Sequence, residues 1–247
     1  MARQKIWLLR LVLPIPYGRP LSALLIFSAL FGLFRWGIAE EIDTQTPMLF
    51  FSAIVAYSVA VFSYITENCQ AALAELRPGL NLDETSFARM QGVLGNCSST
   101  QLIVLIVAGL AAGVGHLTLL NGSFDQLVFR LSDGPILVTS LAGHIGTLMT
   151  WLVISTMVYF LIEYARLFAR LGRGPVEVDL LNSRPLLPFS RVAIISSLAM
   201  IGGLALFPLM HFDDGMNIQS VLPGIIGMGV PMLVMFAIPI WPVHKRL

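Results

Sequence analysis

The chain has 247 residues, of which 56% are hydrophobic and 12% charged, whereas soluble domains average about 45–50% apolar and about 25% charged residues. This composition excludes a disordered chain, a coiled coil and a soluble globular domain, and it indicates that lipid surrounds much of the chain. The formal net charge of +1 provides no basic surface for nucleic acid. The two cysteines, Cys69 and Cys97, are too few for a disulfide framework.

Residues 1–20 form the first predicted unit, an interfacial segment on the cytoplasmic face. Its apolar run, residues 6–13, is too short to cross a bilayer, which takes about 20 residues. With Lys5 and Arg10 beside it, the run is typical of a helix that lies in the membrane interface. Docking against the cytoplasmic ends of the other helices explains the same pattern equally well.

The second unit, residues 21–247, contains six stretches that are long and apolar enough, or nearly so, to cross a membrane. Each stretch is continuously apolar rather than alternating, which favours helices over barrel strands. The predicted spans are 21–38, 47–65, 101–120, a fourth that starts between 135 and 141 and ends near 161, 192–209 and 221–240. The sequence therefore predicts an all-α polytopic bundle of six transmembrane helices.

The second and fourth spans are predicted to continue as helices beyond the lipid. Their helical pattern persists through Leu76 and Leu171, and each ends at a cluster of Arg, Pro and Gly that is typical of a helix stop. The bundle is therefore expected to carry short cytoplasmic helix extensions.

The basic residues are distributed unevenly between the two sides of this bundle. Thirteen of the fifteen Lys and Arg residues precede the first span, follow the last, or lie in the second-to-third and fourth-to-fifth connections. They are Arg3, Lys5, Arg10, Arg19, Arg77, Arg89, Arg166, Arg170, Arg173, Arg184, Arg191, Lys245 and Arg246. The other side has Arg35, Arg130 and the acidic residues Glu40, Glu41, Asp43, Asp125, Asp133, Asp213 and Asp214. The positive-inside rule then places both termini in the cytoplasm, with the bacterial inner membrane as the expected location.

Sequence motifs give little support for catalysis or coupled transport. The chain contains no G-x-S-x-G, Walker A, H-E-x-x-H or C-x-x-C motif. No Asp, Glu, Lys or Arg lies near the centre of a predicted span, where a charge is usually functional. The fourth span carries hydroxyl groups that would line a pore or serve helix packing equally well: Thr147, Thr150, Ser155, Thr156 and Tyr159.

Two sets of residues are candidate sites. His116, His144 and His211 are predicted to lie at similar depth on the outer side, where their imidazoles would suit zinc, copper or iron. Local hydrogen bonding at the membrane interface is the alternative role for these histidines. Gly109 and Gly113 form a GxxxG pattern that lets another helix approach closely, either from the same chain or from another subunit. The sequence identifies no cofactor.

The function predicted from these observations is a non-enzymatic membrane scaffold or accessory subunit that acts through helix–helix contacts in a larger assembly. Its partners would be the lipid bilayer and other membrane protein subunits, and not nucleic acid. Two alternatives remain open. One is a transporter or channel for a small solute or metal ion, and the other is the membrane domain of a sensor or transducer.

Overall fold

The computed structural model describes residues 3–37, 46–80, 83–121, 136–173, 187–211 and 225–244. In chain order these contain β1 (Gln4–Lys5), α1 (Trp7–Arg10), α2 (Gly18–Gly37), α3 (Thr46–Leu76), a 3₁₀ turn (Arg77–Gly79), α4 (Glu84–Gln91), β2 (Asn96–Cys97), α5 (Ser99–Asn121), α6 (Ile136–Arg173), α7 (Leu187–Leu204), a 3₁₀-helix (Phe207–His211), a π-helical turn (Ile225–Gly229) and α8 (Val230–His244). The all-α prediction is confirmed for this part of the chain, which adds one antiparallel pair of two-residue strands.

Within the described part of the chain, five helices are long and apolar enough to cross a membrane, judged by length and composition. They are Gly18–Arg35, Met48–Gly79, Ser99–Thr118, His144–Arg173 and Leu187–Leu209, and Gly227–Trp241 is a shorter apolar helix. The chain is therefore compatible with a multi-pass membrane protein. The first four residues of the predicted sixth span, 221–224, lie outside the described residues.

The helix ends follow the distribution of Pro and Gly. Helix α3 continues to Leu76 and gives way to a 3₁₀ turn that contains Pro78, and α6 continues to Arg173, so both predicted extensions are confirmed. Proline ends a helix because it has no N–H to donate and its ring clashes with the preceding turn. Helix α7 ends at Leu204, earlier than predicted, and a 3₁₀-helix that includes Pro208 follows.

Helices α3 and α6 form the centre of the bundle. They run parallel, with the Phe62 ring 6.2 Å from the rings of both Phe160 and Tyr164 between centroids. Helices α2 and α7 pack on α3, while α5 and α8 pack on α6. In the apolar segment of α3, 67% of the residues are buried, compared with 17% in α2 and 22% in α5. Helices α2 and α5 therefore lie at the periphery of the bundle.

Small residues allow the central helices to pack closely. A Cβ atom at Gly146 of α6 would lie 2.5 Å from the Phe51 ring of α3. Gly202 of α7 makes room for Tyr57, whose hydroxyl donates a hydrogen bond to the Ala199 carbonyl at 2.9 Å. Lipid tails are as apolar as the helices, so close van der Waals contact of this kind is a main source of helix association in membranes.

Four ion pairs between described residues lie at one end of the bundle, which we call the charged end. They are Arg19–Glu67, Arg77–Glu84, Arg166–Glu163 and Arg191–Glu75. Helix α2 begins at this end, and α3 and α6 finish there. Among the described residues every Lys and Arg except Arg35 lies at the charged end. Arg130 and the acidic residues predicted for the other side lie outside the described residues.

Candidate functional site

The two glycines of the GxxxG pattern face α6 of the same chain. A Cβ atom at Gly109 would lie 2.8 Å from the Leu152 Cα, and one at Gly113 would lie 3.2 Å from the Leu148 Cα. Any side chain at these positions would therefore collide with the backbone of α6. We call this contact of Gly109 and Gly113 with Leu152 and Leu148 the α5–α6 seam.

The register of the seam brings two of the candidate histidines to the same depth. The two glycine contacts show that α5 and α6 are antiparallel. If this pairing of α5 with α6 is extended by about one turn away from the charged end, His116 lies opposite Ile145. His116 and His144 are then at nearly the same depth in the bundle. Side chains lean toward the N-terminus of their helix, and this tilt carries the Trp151 ring toward His116. Its Nε1 donates a hydrogen bond to His116 Nδ1 at 2.8 Å.

This hydrogen bond sets the chemistry of His116. A neutral imidazole has one N–H and one lone pair. Because Nδ1 accepts from Trp151, the proton of a neutral His116 lies on Nε2, and that nitrogen is a donor rather than a metal ligand in this arrangement. Within the described residues no group of three or more His, Cys, Asp or Glu side chains is arranged to hold a metal. His144 is half-buried, and the side chain of His211 lies outside the description, so the metal site stays a prediction.

A small cavity lies beside His116, between α3, α5 and α6. Its volume is about 10 Å³, which is about the minimum that holds one water molecule. Its other lining residues are Phe50, Phe51, Thr147, Thr150, Trp151, Ile154 and Phe207. Thr150 is 5% exposed, and its hydroxyl has no hydrogen-bond partner among the described residues. Phe207 brings the 3₁₀-helix that ends at His211 to this cavity.

The hydroxyls of the fourth span do not share one role. Thr147 and Thr150 line the cavity. Nearer the charged end, Thr156 donates to the Leu152 carbonyl at 2.8 Å and accepts from Trp7 Nε1 at 3.3 Å. The Tyr159 hydroxyl accepts from Gln101 Nε2 at 3.0 Å. The hydroxyls near the charged end therefore join α6 to α5 and to the N-terminal segment.

The N-terminal segment docks into the charged end. Strand β1 pairs with β2, with Gln4 opposite Cys97 and Lys5 opposite Asn96, and the Ile6 amide donates to the Gly95 carbonyl at 3.0 Å. Ile6 and Leu8 are fully buried. Residues 6–9 therefore dock against the bundle, which is one of the two arrangements that the sequence allows, and no local pattern distinguishes between them.

Tyr164 connects this docked segment to the two central helices. The Gly95 amide donates to the Tyr164 hydroxyl at 3.0 Å, and that hydroxyl lies 3.3 Å from Thr66 Oγ1. Thr66 donates its own proton to the Phe62 carbonyl at 2.8 Å, so the Tyr164 hydroxyl must donate to Thr66. Buried hydrogen bonds linked in this way strengthen one another. We call this series, from Gly95 through Tyr164 and Thr66 to Phe62, the Tyr164 chain.

Sequence reasoning missed the Tyr164 chain. Gly95 has φ of +89°, a conformation that other residues adopt only with strain. The Gly95-Asn96 dipeptide is a turn signal that would have located this conformation. Nothing in the local sequence indicates that Tyr164 is its partner.

Asp83 and Cys97, which lie between the long helices in the sequence, have shifted pKa values. Asp83 caps α4 by accepting from the Ser86 amide at 3.3 Å and from the Thr85 hydroxyl, and hydrogen bonds from Ser86 and then Thr85 lower its pKa to about 2. Burial raises the pKa of the Cys97 thiol, with a smaller opposing effect from the charge of Arg10. The thiol is therefore protonated and unreactive at neutral pH.

Comparisons with protein-family models, with curated proteins and with solved structures find no match to this chain.

Proposed function

We propose that the chain is a non-enzymatic scaffold or accessory subunit of a larger assembly in the bacterial inner membrane, with six spans and both termini in the cytoplasm. The directions of two neighbouring helices fit spans that cross the membrane alternately. Helix α2 is antiparallel to α3, with Arg19 against Glu67 at one end and Phe34 near Phe51 at the other. The basic residues concentrated at the charged end favour a cytoplasmic location for that end.

The observation that carries the proposal is the way α5 is attached. Its small-residue face is already used in the seam, while the apolar side chains of Ile103, Val104 and Val107 are exposed on its other side. A Cβ atom at Gly115 would meet nothing within 4 Å. Helix α5 therefore offers a lateral apolar surface to another membrane subunit while α6 holds it rigidly in place.

A photocrosslinking experiment in native membranes tests this role. Val107 of α5 and Leu24 of α2 are both 61% exposed, so a benzophenone amino acid at Val107 has a matched control at Leu24. We expect a discrete adduct with one other protein from Val107 and lipid adducts alone from Leu24. Lipid adducts alone at both positions, or the same protein adducts at both, would contradict a partner on α5.

A second candidate, a transporter or channel for a small solute or metal ion, is favoured by the cavity at Thr150. A buried hydroxyl without a protein partner is costly unless water or a ligand bonds to it. The cavity has space for about one water molecule, so passage of a solute would require helix movement. Flux into proteoliposomes that is lost in Thr150→Val but kept in Thr156→Val would support this candidate.

A further inference from the structure

A row of apolar side chains is exposed between the docked N-terminal segment and α2. Leu11 is 44% exposed, Leu13 37%, Ile15 50% and Tyr17 87%. We call residues 11–17 the proline loop, after Pro14 and Pro16. Contiguous exposed apolar surface of this kind usually marks contact with a membrane or another protein.

The exposure is built into the loop, because its backbone is fixed. The Gly18 amide donates to the Ile15 carbonyl at 2.8 Å, and the Leu13 amide donates to the Ser22 hydroxyl at 2.9 Å. Tyr17 has φ of +59°, which is uncommon for a residue with a bulky side chain. A Cβ atom at Gly18 would lie 2.0 Å from the Leu13 oxygen, so this position requires glycine. The surrounding contacts therefore hold the apolar side chains in their outward arrangement.

The proline loop lies level with the place where the apolar surface of the bundle ends. Arg19 pairs with Glu67, the first charged residue of α3. An open groove of about 490 Å³ separates the loop from Glu67. On the other side, the loop is continuous with exposed apolar residues of α2 at Leu21, Leu24 and Leu25.

The charge around the loop suits an anionic membrane surface. Arg10 and Arg19 flank the loop, and residues 1–39 contain no Asp or Glu. Basic residues close to a membrane surface are attracted to anionic headgroups. Tyr17 is of a residue type enriched where the headgroups meet the acyl chains.

We propose that the proline loop is a membrane anchor, seated at the boundary between headgroups and acyl chains of the leaflet at the charged end. Continuity with the apolar surface of α2 favours lipid over a protein partner as its occupant. Arg10 and the Arg19–Glu67 pair then lie at the level of the phosphate layer, and the loop fixes the depth at which α2 enters the membrane. This inference depends on insertion of the bundle in a membrane and not on the proposed scaffold role.

Depth-dependent fluorescence quenching tests the anchor. A single cysteine at Ile15 is labelled with the fluorophore NBD, and the protein is placed in nanodiscs of phosphatidylcholine and phosphatidylglycerol. The native Cys69 and Cys97 are buried, and labelling of the unsubstituted protein measures their background. Glu84→Cys, on the exposed surface of α4, is the aqueous control, and Leu24→Cys is the control within the acyl region.

We expect Ile15→Cys to lose most of its fluorescence to a nitroxide carried near the headgroup end of the lipid acyl chain. Leu24→Cys should respond more to a nitroxide near the chain terminus, and Glu84→Cys only to aqueous iodide. Leu11→Cys supplies a second loop position and should behave like Ile15→Cys. Quenching of both loop positions by iodide alone, or by neither lipid nitroxide nor iodide, would overturn the proposal in favour of water or of a protein partner.

Discussion

The charged end and the α5–α6 seam are held together by different forces. At the charged end, the Tyr164 chain and a short strand pair connect segments that are far apart in the sequence. Along the seam, two glycines let helix backbones meet, and the stabilisation comes from van der Waals contact. One bundle thus combines buried polar connections between distant segments with close steric fit between neighbouring helices. The two regions should therefore fail in different ways.

The largest effect is expected from enlarging the seam glycine, Gly109→Leu. Its Cβ would lie 2.8 Å from the Leu152 Cα, and a backbone atom cannot move aside as a flexible side chain can. Overpacking costs about 1–3 kcal/mol and occasionally more, and a clash with backbone belongs at the upper end of that range. Thermal unfolding in nanodiscs should show a large loss of stability together with separation of α5 from α6.

Gly115→Leu is the matched control on the same helix. A Cβ atom there would meet nothing within 4 Å, and replacing glycine by leucine favours the helix by about 0.5–1 kcal/mol. The control should therefore be neutral or slightly stabilising. Equal destabilisation by the two substitutions would mean that the seam does not depend on close backbone approach.

An intermediate effect is expected from Tyr164→Phe at the charged end. The substitution keeps the ring against Phe62 but leaves the Gly95 amide without its acceptor, which costs about 1–3 kcal/mol. Hydrogen exchange should increase at Gly95 and at residues 4–9 while the seam stays protected. In Tyr64→Phe, whose side chain is half-exposed, stability should change by less than about 0.5 kcal/mol. Loss of protection along α5 in Tyr164→Phe would show that the two regions are not independent.

The smallest effect is expected at the Asp83 cap of α4. The pKa of Asp83 is lowered from 3.8 to about 2 in the folded chain. The stabilisation of α4 by the ionised carboxylate is therefore complete above pH 3.8 and is lost as the pH falls toward 2. Hydrogen exchange of the α4 amides, corrected for intrinsic rates, should show this loss. In Asp83→Ala, the α4 amides should lack this protection from exchange at every pH. In Asp83→Asn, they should be partly protected, and the protection should not depend on pH. Wild-type protection in Asp83→Ala at neutral pH would contradict the cap.

The long helices could be predicted from the sequence, because continuous apolar runs and their Pro and Gly stops are local signals. The same signals predicted extensions to Leu76 and Leu171, and the helices continue to Leu76 and Arg173. The GxxxG pattern identified Gly109 and Gly113 as close-approach positions, but it could not say which helix would approach. That choice depends on how α6 packs, which no local pattern encodes.

The concentration of basic residues at the charged end could be predicted, but the contacts there could not, because they are short and non-local. Strands β1 and β2 have two residues each, too few for a periodic pattern. The apolar run 6–13 is divided between a buried part at Ile6 and Leu8 and an exposed part at Leu11 and Leu13. Sequence alone treats it as one stretch. The depth shared by His116 and His144 followed from topology, whereas the hydrogen bond from Trp151 did not.

The docking of Trp7 on Thr156 has a consequence for biosynthesis. The two residues are 149 positions apart, and chains grow at about 5–20 residues per second, so Trp7 is made about 7–30 s before Thr156. During that interval α3 and β2 can already contact the N-terminal segment, but the hydrogen bond from Trp7 to α6 cannot form. The attachment of this segment to α6 is therefore a later step of folding than its contacts with α3 and β2.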